Sequence, residues 1–337
     1  MKKFELTNEF AVNIFGIKLF RIRSLVSFGC VKAGEQGGYV EKEGNLSQIG
    51  NAWIFGNAQA YGNAQVSGNA RVSDNAQVYG DTQVYGNAWV SGDTQVYGDA
   101  EVFGNAQVSG NAQVSGNARV SSNAKVYGNA QVYGNAQVYG YAQVYGKAQV
   151  YGDAEVSDNA QVSGNARVSG NAQVYGDAWV SGNAWIFDNA QVYGDTQVYG
   201  NAQVSGDARV SGKARVYGDA QVYGNAWVSG DTQVYGDAEV SDNAQVSGNA
   251  RVSGDAWISS DARVHGDTDY ATVKGFGRYN RNTTFFRCKD GKVRVACGCF
   301  FGDLKAFRAI VKRTHGDGRM AKEYLAIADL MEMHFKG

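Results

Sequence analysis

From Asn51 to Gly266 the chain repeats one six-residue pattern, typified by Asn129-Ala-Gln-Val-Tyr-Gly134, through 36 consecutive hexads with no inserted or deleted residue. The second position is Ala in 32 hexads and Thr in four (Thr82, Thr94, Thr196, Thr232), and the fourth is Val or Ile except at Ala60. The third and fifth positions carry Gln, Arg, Glu, Lys or Trp and Tyr, Ser, Phe or His. Apolar and polar positions therefore alternate with the period of two that a strand requires, small and aliphatic residues inward, polar and aromatic ones outward. Gly followed by Asn or Asp closes most hexads, and these residues tolerate the positive φ of a sharp bend. Each hexad predicts one short strand and one corner.

A strand this short cannot bury its apolar residues alone, so successive hexads must stack. Three hexads per turn predict a triangular prism of about 12 coils with a core of Ala and Val, too tightly filled to hold a cofactor. Asn recurring at a corner predicts amide ladders, each side chain bonded to its copy one coil away.

The flanks break the pattern. Residues 1–50 alternate around a Gly16 turn and predict a hairpin that buries Val12, Ile14, Ile17, Leu19 and Ile22 and caps one end of the stack, where backbone and apolar cross-section would otherwise lie open. Residues 267–337 predict a small α+β domain. Thr283–Cys288 and Lys292–Phe300 flank an Asp290-Gly291 turn as a hairpin. Asp303 caps a helix running through Lys312, and a second helix runs from about Arg319 to His334. The expected organisation is thus an all-β solenoid at 51–266 between an N-terminal β cap and a C-terminal α+β domain.

Aliphatic residues followed four positions later by a small one, as Val132 by Ala136 and Val138 by Ala142, resemble the hexapeptide-repeat signature of left-handed parallel β-helices. The left hand is implied by that resemblance alone, since parallel crossovers in general favour the right. The stretch Gly37–Ser47 is similar to hexapeptide proteins of bacteriophages, prophages and bacterial genomes. The superfamily includes acyltransferases, which use a histidine base at a cleft between subunits and a loop projecting from one coil. Here 51–266 has no room for a loop, and its one histidine is His265, at the end of the last strand. His265 is the sole candidate for that chemistry, and a polar outward residue is the competing reading.

Fifteen hexads place Tyr at position five and all six Trp occupy position three, yet neither type is confined to one face of the prism. Only four Thr lie in the hexads, so the flat Thr-ranked face of an ice-binding protein is not expected. Ladders of Tyr packing on Tyr explain most of the rings without a ligand. Trp179, Trp185 and Phe187 are the group most suited to a protein partner or a polysaccharide.

Charge is unevenly spread: 10 Lys/Arg against 19 Asp/Glu in 51–266, and 14 against 8 in 267–337. Arg278, Arg281, Arg287, Arg294, Lys312, Arg313 and His315 are the basic candidates for recognition, with solvated surface as the alternative. No nucleic-acid motif accompanies them. Cys288, Cys297, Cys299 and His315 invite a zinc site, but Cys-x-Cys is not the usual knuckle spacing, and buried core thiols on the strand that carries Val293 and Val295 account for them as well. No apolar run of about 20 residues is present to span a membrane. The reading is a non-enzymatic binding or structural solenoid, cytoplasmic or virion-associated, needing no cofactor, with a protein partner or a second copy of itself as the contact.

Overall fold

The structure, a computed structural model, describes residues 2–336 except Tyr279, and of Arg281 the backbone only. It divides into two compact units, Met1–Gly182 and Asn183–Gly337. Both contain the coils, each hexad contributing a two-residue strand at positions three and four, such as Gln131–Val132 in the first unit and Gln203–Val204 in the second. Each strand pairs in parallel with the strand 18 residues on, Gln131 opposite Gln149 and Gln203 opposite Gln221. Three hexads therefore make one turn, and the β-solenoid has about 13 turns.

The turn beyond the 12 read from the hexads comes from the N-terminal flank. Strand β1 (Phe4–Val12) pairs antiparallel with β2 (Lys18–Ser24), β2 pairs antiparallel with β3 (Gln36–Val40), and β3 then runs parallel to Gln59–Ala60. Leu46 bridges Val66 in parallel on a second side. The hairpin thus forms as predicted but with a different buried set. Leu19, Ile22 and Phe4 are inaccessible, whereas Val12 and Ile14 are 60% and 89% exposed, because they flank the Gly16 turn beyond the end of the coil. Trp53, outward by its place in the hexad, is fully buried under Phe4 and Phe28, at centroid distances of 6.2 and 5.4 Å. Those rings cover the first regular coil on the side where no earlier coil exists.

The core alternates Ala and Val at zero exposure, as at Ala130 and Val132 or Ala208 and Val210. Thr82 and Thr232 replace Ala without stranding a hydroxyl, since each donates to the carbonyl three residues back, Tyr79 O at 2.8 Å and Ser229 O at 2.6 Å. Corners take positive φ, and Gly116 shows why glycine prevails: a Cβ there would lie 3.0 Å from the backbone nitrogen of Gly134. Where Asp stands instead, at Asp158 with φ 57°, its carboxylate accepts the N–H of Gly176 at 3.1 Å, a bond that glycine lacks.

Backbone bonds join each coil to the next, as from Gln131 N–H to Ala148 O (2.9 Å) and from Gln197 N–H to Ala214 O (2.9 Å). Backbone groups at the two ends of the stack lack a regular coil beside them and cannot be buried unpaired, so side chains meet them. Lys3 Nζ donates to Ala52 O at 2.9 Å, and Asn45 Nδ2 to Ala64 O at 2.9 Å. Burial lowers the Lys3 ammonium to a pKa of about 8. At the last coils side chains serve as acceptors for backbone amides. Thr284 Oγ1 accepts from Trp257 N (3.1 Å), and the carboxylates of Asp267 and Asp269 accept from Arg251 N and His265 N, both at 2.8 Å.

The C-terminal domain has four antiparallel strands, Tyr270–Phe276, Arg281–Arg287, Val293–Cys297 and Phe300–Asp303, paired in chain order. Two of them, Tyr270–Phe276 and Phe300–Asp303, extend the hairpin read from the sequence. Helix α1 (Leu304–His315) starts where Asp303 accepts the N–H of Ala306 at 2.7 Å, and α2 (Arg319–His334) follows. Alternation along Arg281–Arg287 divides the domain. Phe285 packs with Phe307, Tyr324 and Met331 under the helices, while Thr284 bonds Trp257 on the opposite face. At the end of that strand Cys288 bridges Ala262 of the last hexad.

Candidate functional site

Outward residues of the coils bond to one another at a fixed offset. A tyrosine at position five donates to the residue 16 further on, Tyr127 to Gln143 Oε1 (3.2 Å) and Tyr223 to Glu239 Oε2 (3.0 Å). A tryptophan at position three donates to the serine 16 residues earlier, Trp89 to Ser73, Trp179 to Ser163 and Trp257 to Ser241, each at 3.4 Å. Residues 18 apart stack: the rings of Tyr133 and Tyr151 lie 4.9 Å apart and 1° from parallel, and Tyr199, Tyr217 and Tyr235 form a continuous column. Desolvation, and after it repulsion from Tyr79, holds the Tyr61 phenol protonated up to about pH 12. The expected amide ladder is present too, Asn51 to Asn69 to Asn87 to Asn105 at 2.9–3.0 Å, and an Asp takes the acceptor place where Asn135 meets Asp153. The offset of 16 was visible in the sequence as Ser preceding Trp, yet it has meaning only once coils are 18 residues long.

Trp179 is thereby engaged with Ser163, though still 43% exposed. Trp185 and Phe187 touch each other with centroids 4.3 Å apart, as their two-residue spacing on one outward face allows. His265 is exposed, with Nδ1 2.7 Å from Ser247 Oγ.

In the C-terminal domain several basic residues are committed to the fold. Arg287 pairs with Asp269 at 3.3 Å and donates to Phe335 O at 2.8 Å, and Arg294 pairs with Asp290 at 2.7 Å. Lys312 and Arg313 are exposed on the last turn of α1, where a cation suits the helix dipole. The side chain of Arg281 lies outside the described residues.

Arg278, Cys297, Cys299 and His315 come together at one cavity of about 620 Å³. Phe300, Phe307, Ile310, Val311 and Met320 supply its apolar wall. The volume and the mixture of apolar wall with a few polar groups are those of small-ligand sites. Its rim is fixed by a close approach. Gly277, at φ 72°, passes so near α2 that a Cβ would come 2.2 Å from Tyr324 Oη, and that hydroxyl donates to Phe276 O at 3.3 Å. Arg278 follows directly. His315, the last residue of α1, stacks on Tyr324 with centroids 6.0 Å apart.

The thiols are not the uniform core set that the strand pattern predicts. The strand ends at Cys297, so Cys299 falls in the turn after it and is exposed. Cys297 is half-buried and accepts from Thr283 Oγ1 at 3.1 Å. Cys288 alone is buried, and desolvation pushes its thiol up to about 11, unfavourable for a thiolate ligand. Among the described residues no group of three or more His, Cys, Asp or Glu could hold a metal ion. Nor, among them, is any helix long and apolar enough to cross a membrane.

Comparison with known families agrees with the coil geometry. The family described as YdcK Beta solenoid repeat matches nine segments, 64–80, 83–98, 112–128, 130–146, 160–176, 172–188, 202–218, 220–236 and 244–260. Each spans 16 or 17 residues, close to one coil. No curated protein matches the chain. On its coils and on these matches, the chain is a repeat β-solenoid protein, similar in those nine segments to the YdcK repeat.

Proposed function

We propose that this protein is a non-enzymatic solenoid that holds a recognition domain, residues 267–337, toward a macromolecular partner. The observation that carries the reading is a contrast in closure. Outward Tyr, Trp, Asn and Gln of the coils bond to their own neighbours, while the C-terminal domain keeps an open cavity walled by Phe300, Phe307, Ile310 and Met320. The phage or prophage setting follows the resemblance of Gly37–Ser47, and with it a place in the host cytoplasm or the virion. The test is capture of partners from native or infected cells by the full chain and by Ile310→Trp, which fills the cavity. Loss of the same bound protein in the variant supports the reading, and identical capture by both overturns it.

A second reading, a self-assembling scaffold, has its own observation. Among the described residues β1 is an edge strand paired only with β2, and the hairpin leaves Phe10, Val12, Ile14 and Phe15 more than half exposed. Such an edge invites a second copy. Light scattering over a concentration series, with Ile14→Lys as the control, decides it: a mass that stays monomeric at high concentration removes the scaffold reading.

A further inference from the structure

We infer that Cys297 and Cys299 form a reversible redox site, a dithiol that closes to a disulfide across Gly298 by exchange with a low-molecular-weight disulfide. The inference stands on the hairpin that carries the two residues and does not depend on 267–337 acting as a recognition domain.

The turn brings the pair together. Cys297 ends one strand and pairs with Phe300, the first residue of the next, so Gly298 and Cys299 are the whole connection. Gly298 opens that connection at φ 58°, the position at which a two-residue hairpin of type II′ calls for glycine. Cα atoms two residues apart on such a bend lie roughly 5–6 Å from each other, inside the span of a disulfide. Gly298 lies on the side of the sheet that meets Trp257 and Thr284, whereas Cys297 and Cys299 both line the cavity beneath the helices. The two thiols therefore share a face. Neither Cys30 nor Cys288 has a second cysteine within two residues of it.

Exposure divides the work between them. Cys299 is exposed, and Cys297 is half-buried with its Sγ held by the Thr283 hydroxyl at 3.1 Å. The Cys299 thiolate attacks one sulfur of the small disulfide, whose S–S bond breaks, and the departing thiolate takes a proton from water. The Cys297 thiol gives its proton to water, attacks Sγ of Cys299 and expels the second small thiolate. The protein loses two hydrogens with their electrons, and the small disulfide is reduced to two thiols. An exposed attacking thiol beside a resolving one is the arrangement by which cysteines sense oxidants. A ring closed over a single intervening residue is strained, and strain makes its bond easy to reduce, which suits a reversible site better than a structural staple.

The full chain, reduced and freed of reductant, is equilibrated with glutathione at a series of reduced-to-oxidised ratios and quenched with N-ethylmaleimide, and each cysteine is followed by mass spectrometry. The peptide holding Cys297 and Cys299 is expected to lose two hydrogens at the oxidised end and to regain them in excess reduced glutathione, while Cys30 gains one glutathione. Cys297→Ser should leave a stable glutathione on Cys299. In Cys299→Ser the remaining Cys297 should react at least about tenfold more slowly than Cys299 does in the first variant. Phenylarsine oxide, which holds two thiols at once, gives a reading that needs no oxidant. One equivalent should stay on the unaltered chain through gel filtration and none on either serine variant, and the result for the unaltered chain stands even if circular dichroism shows a variant unfolded. A stable mixed disulfide on Cys299 of the unaltered chain with Cys297 left as a thiol, a disulfide from Cys299 to another chain, or no change in the pair overturns the proposal. Failure of the unaltered chain to retain the arsenical overturns it as well.

Discussion

The coils and the C-terminal domain put aromatic residues to opposite uses. A coil tyrosine such as Tyr133 has a ring above or below it at 4.9 Å, and Tyr127 has an amide acceptor for its hydroxyl at 3.2 Å, so stacking itself provides for the outward face. In the C-terminal domain Phe300 and Phe307 contact each other at 5.6 Å and yet both still line open space. Repetition satisfies a surface because every coil brings the same partners to the same height. A domain without repetition has to close its surface residue by residue, and here one region stays open.

The sharpest way to break the contrast is to put a charge into a coil. Val132→Asp buries a carboxylate between Ala and Val and should cost more than about 4 kcal/mol by urea denaturation, whereas Leu330→Asp, at a site 53% exposed, should stay within about 0.5 kcal/mol. Alkali should act next and through the ladders. An unfolded tyrosine ionises near pH 10, while the folded Tyr61 holds its proton to about 12. The folded state therefore binds protons more tightly in that window, and the stability they confer, full below pH 10, is lost as pH rises towards 12. Absorbance at 295 nm should show delayed ionisation, with an unfolding midpoint that falls between pH 10 and 12.

How far the sequence had already shown this differs by region. Hexad periodicity located the strands, the inward Ala and Val and the Asn ladders, because one coil predicts the next. Asp303 and the bounds of α2 were legible from capping and apolar spacing alone. Trp53 was not, since its burial depends on Phe4 and Phe28 arriving from outside the repeat. The strand Tyr270–Phe276 was hidden because Ala271 and Val273 give its inward face little apolar bulk beside the polar Thr272 and Lys274 of the other face. The cavity was illegible for a further reason: Arg278 and His315 are distant in sequence, and their meeting depends on Gly277 closing onto Tyr324.

Smaller effects refine the comparison within the coils. Asp158→Ala keeps a positive φ without glycine's freedom and loses the bond from Gly176 N–H, so about 2 kcal/mol should be lost, against a few tenths for Asp158→Gly. Trp179→Phe removes only the bond to Ser163 and should cost about 0.5–1 kcal/mol by the same denaturation assay.

At both ends of the stack, side chains from outside the regular coils meet backbone groups that repetition leaves without a neighbour. Lys3 and Asn45 donate to carbonyls of the first coil, and Thr284, Asp267 and Asp269 accept from amides of the last ones. Stripped of those side chains, a strand edge offers both N–H and C=O groups to another chain. A copy missing residues 1–35 and another missing 267–337 would present complementary faces, and a chain lacking both would be free to add head to tail without closure. The irregular sequence at the termini is thus also what gives a polymerisable repeat a defined length.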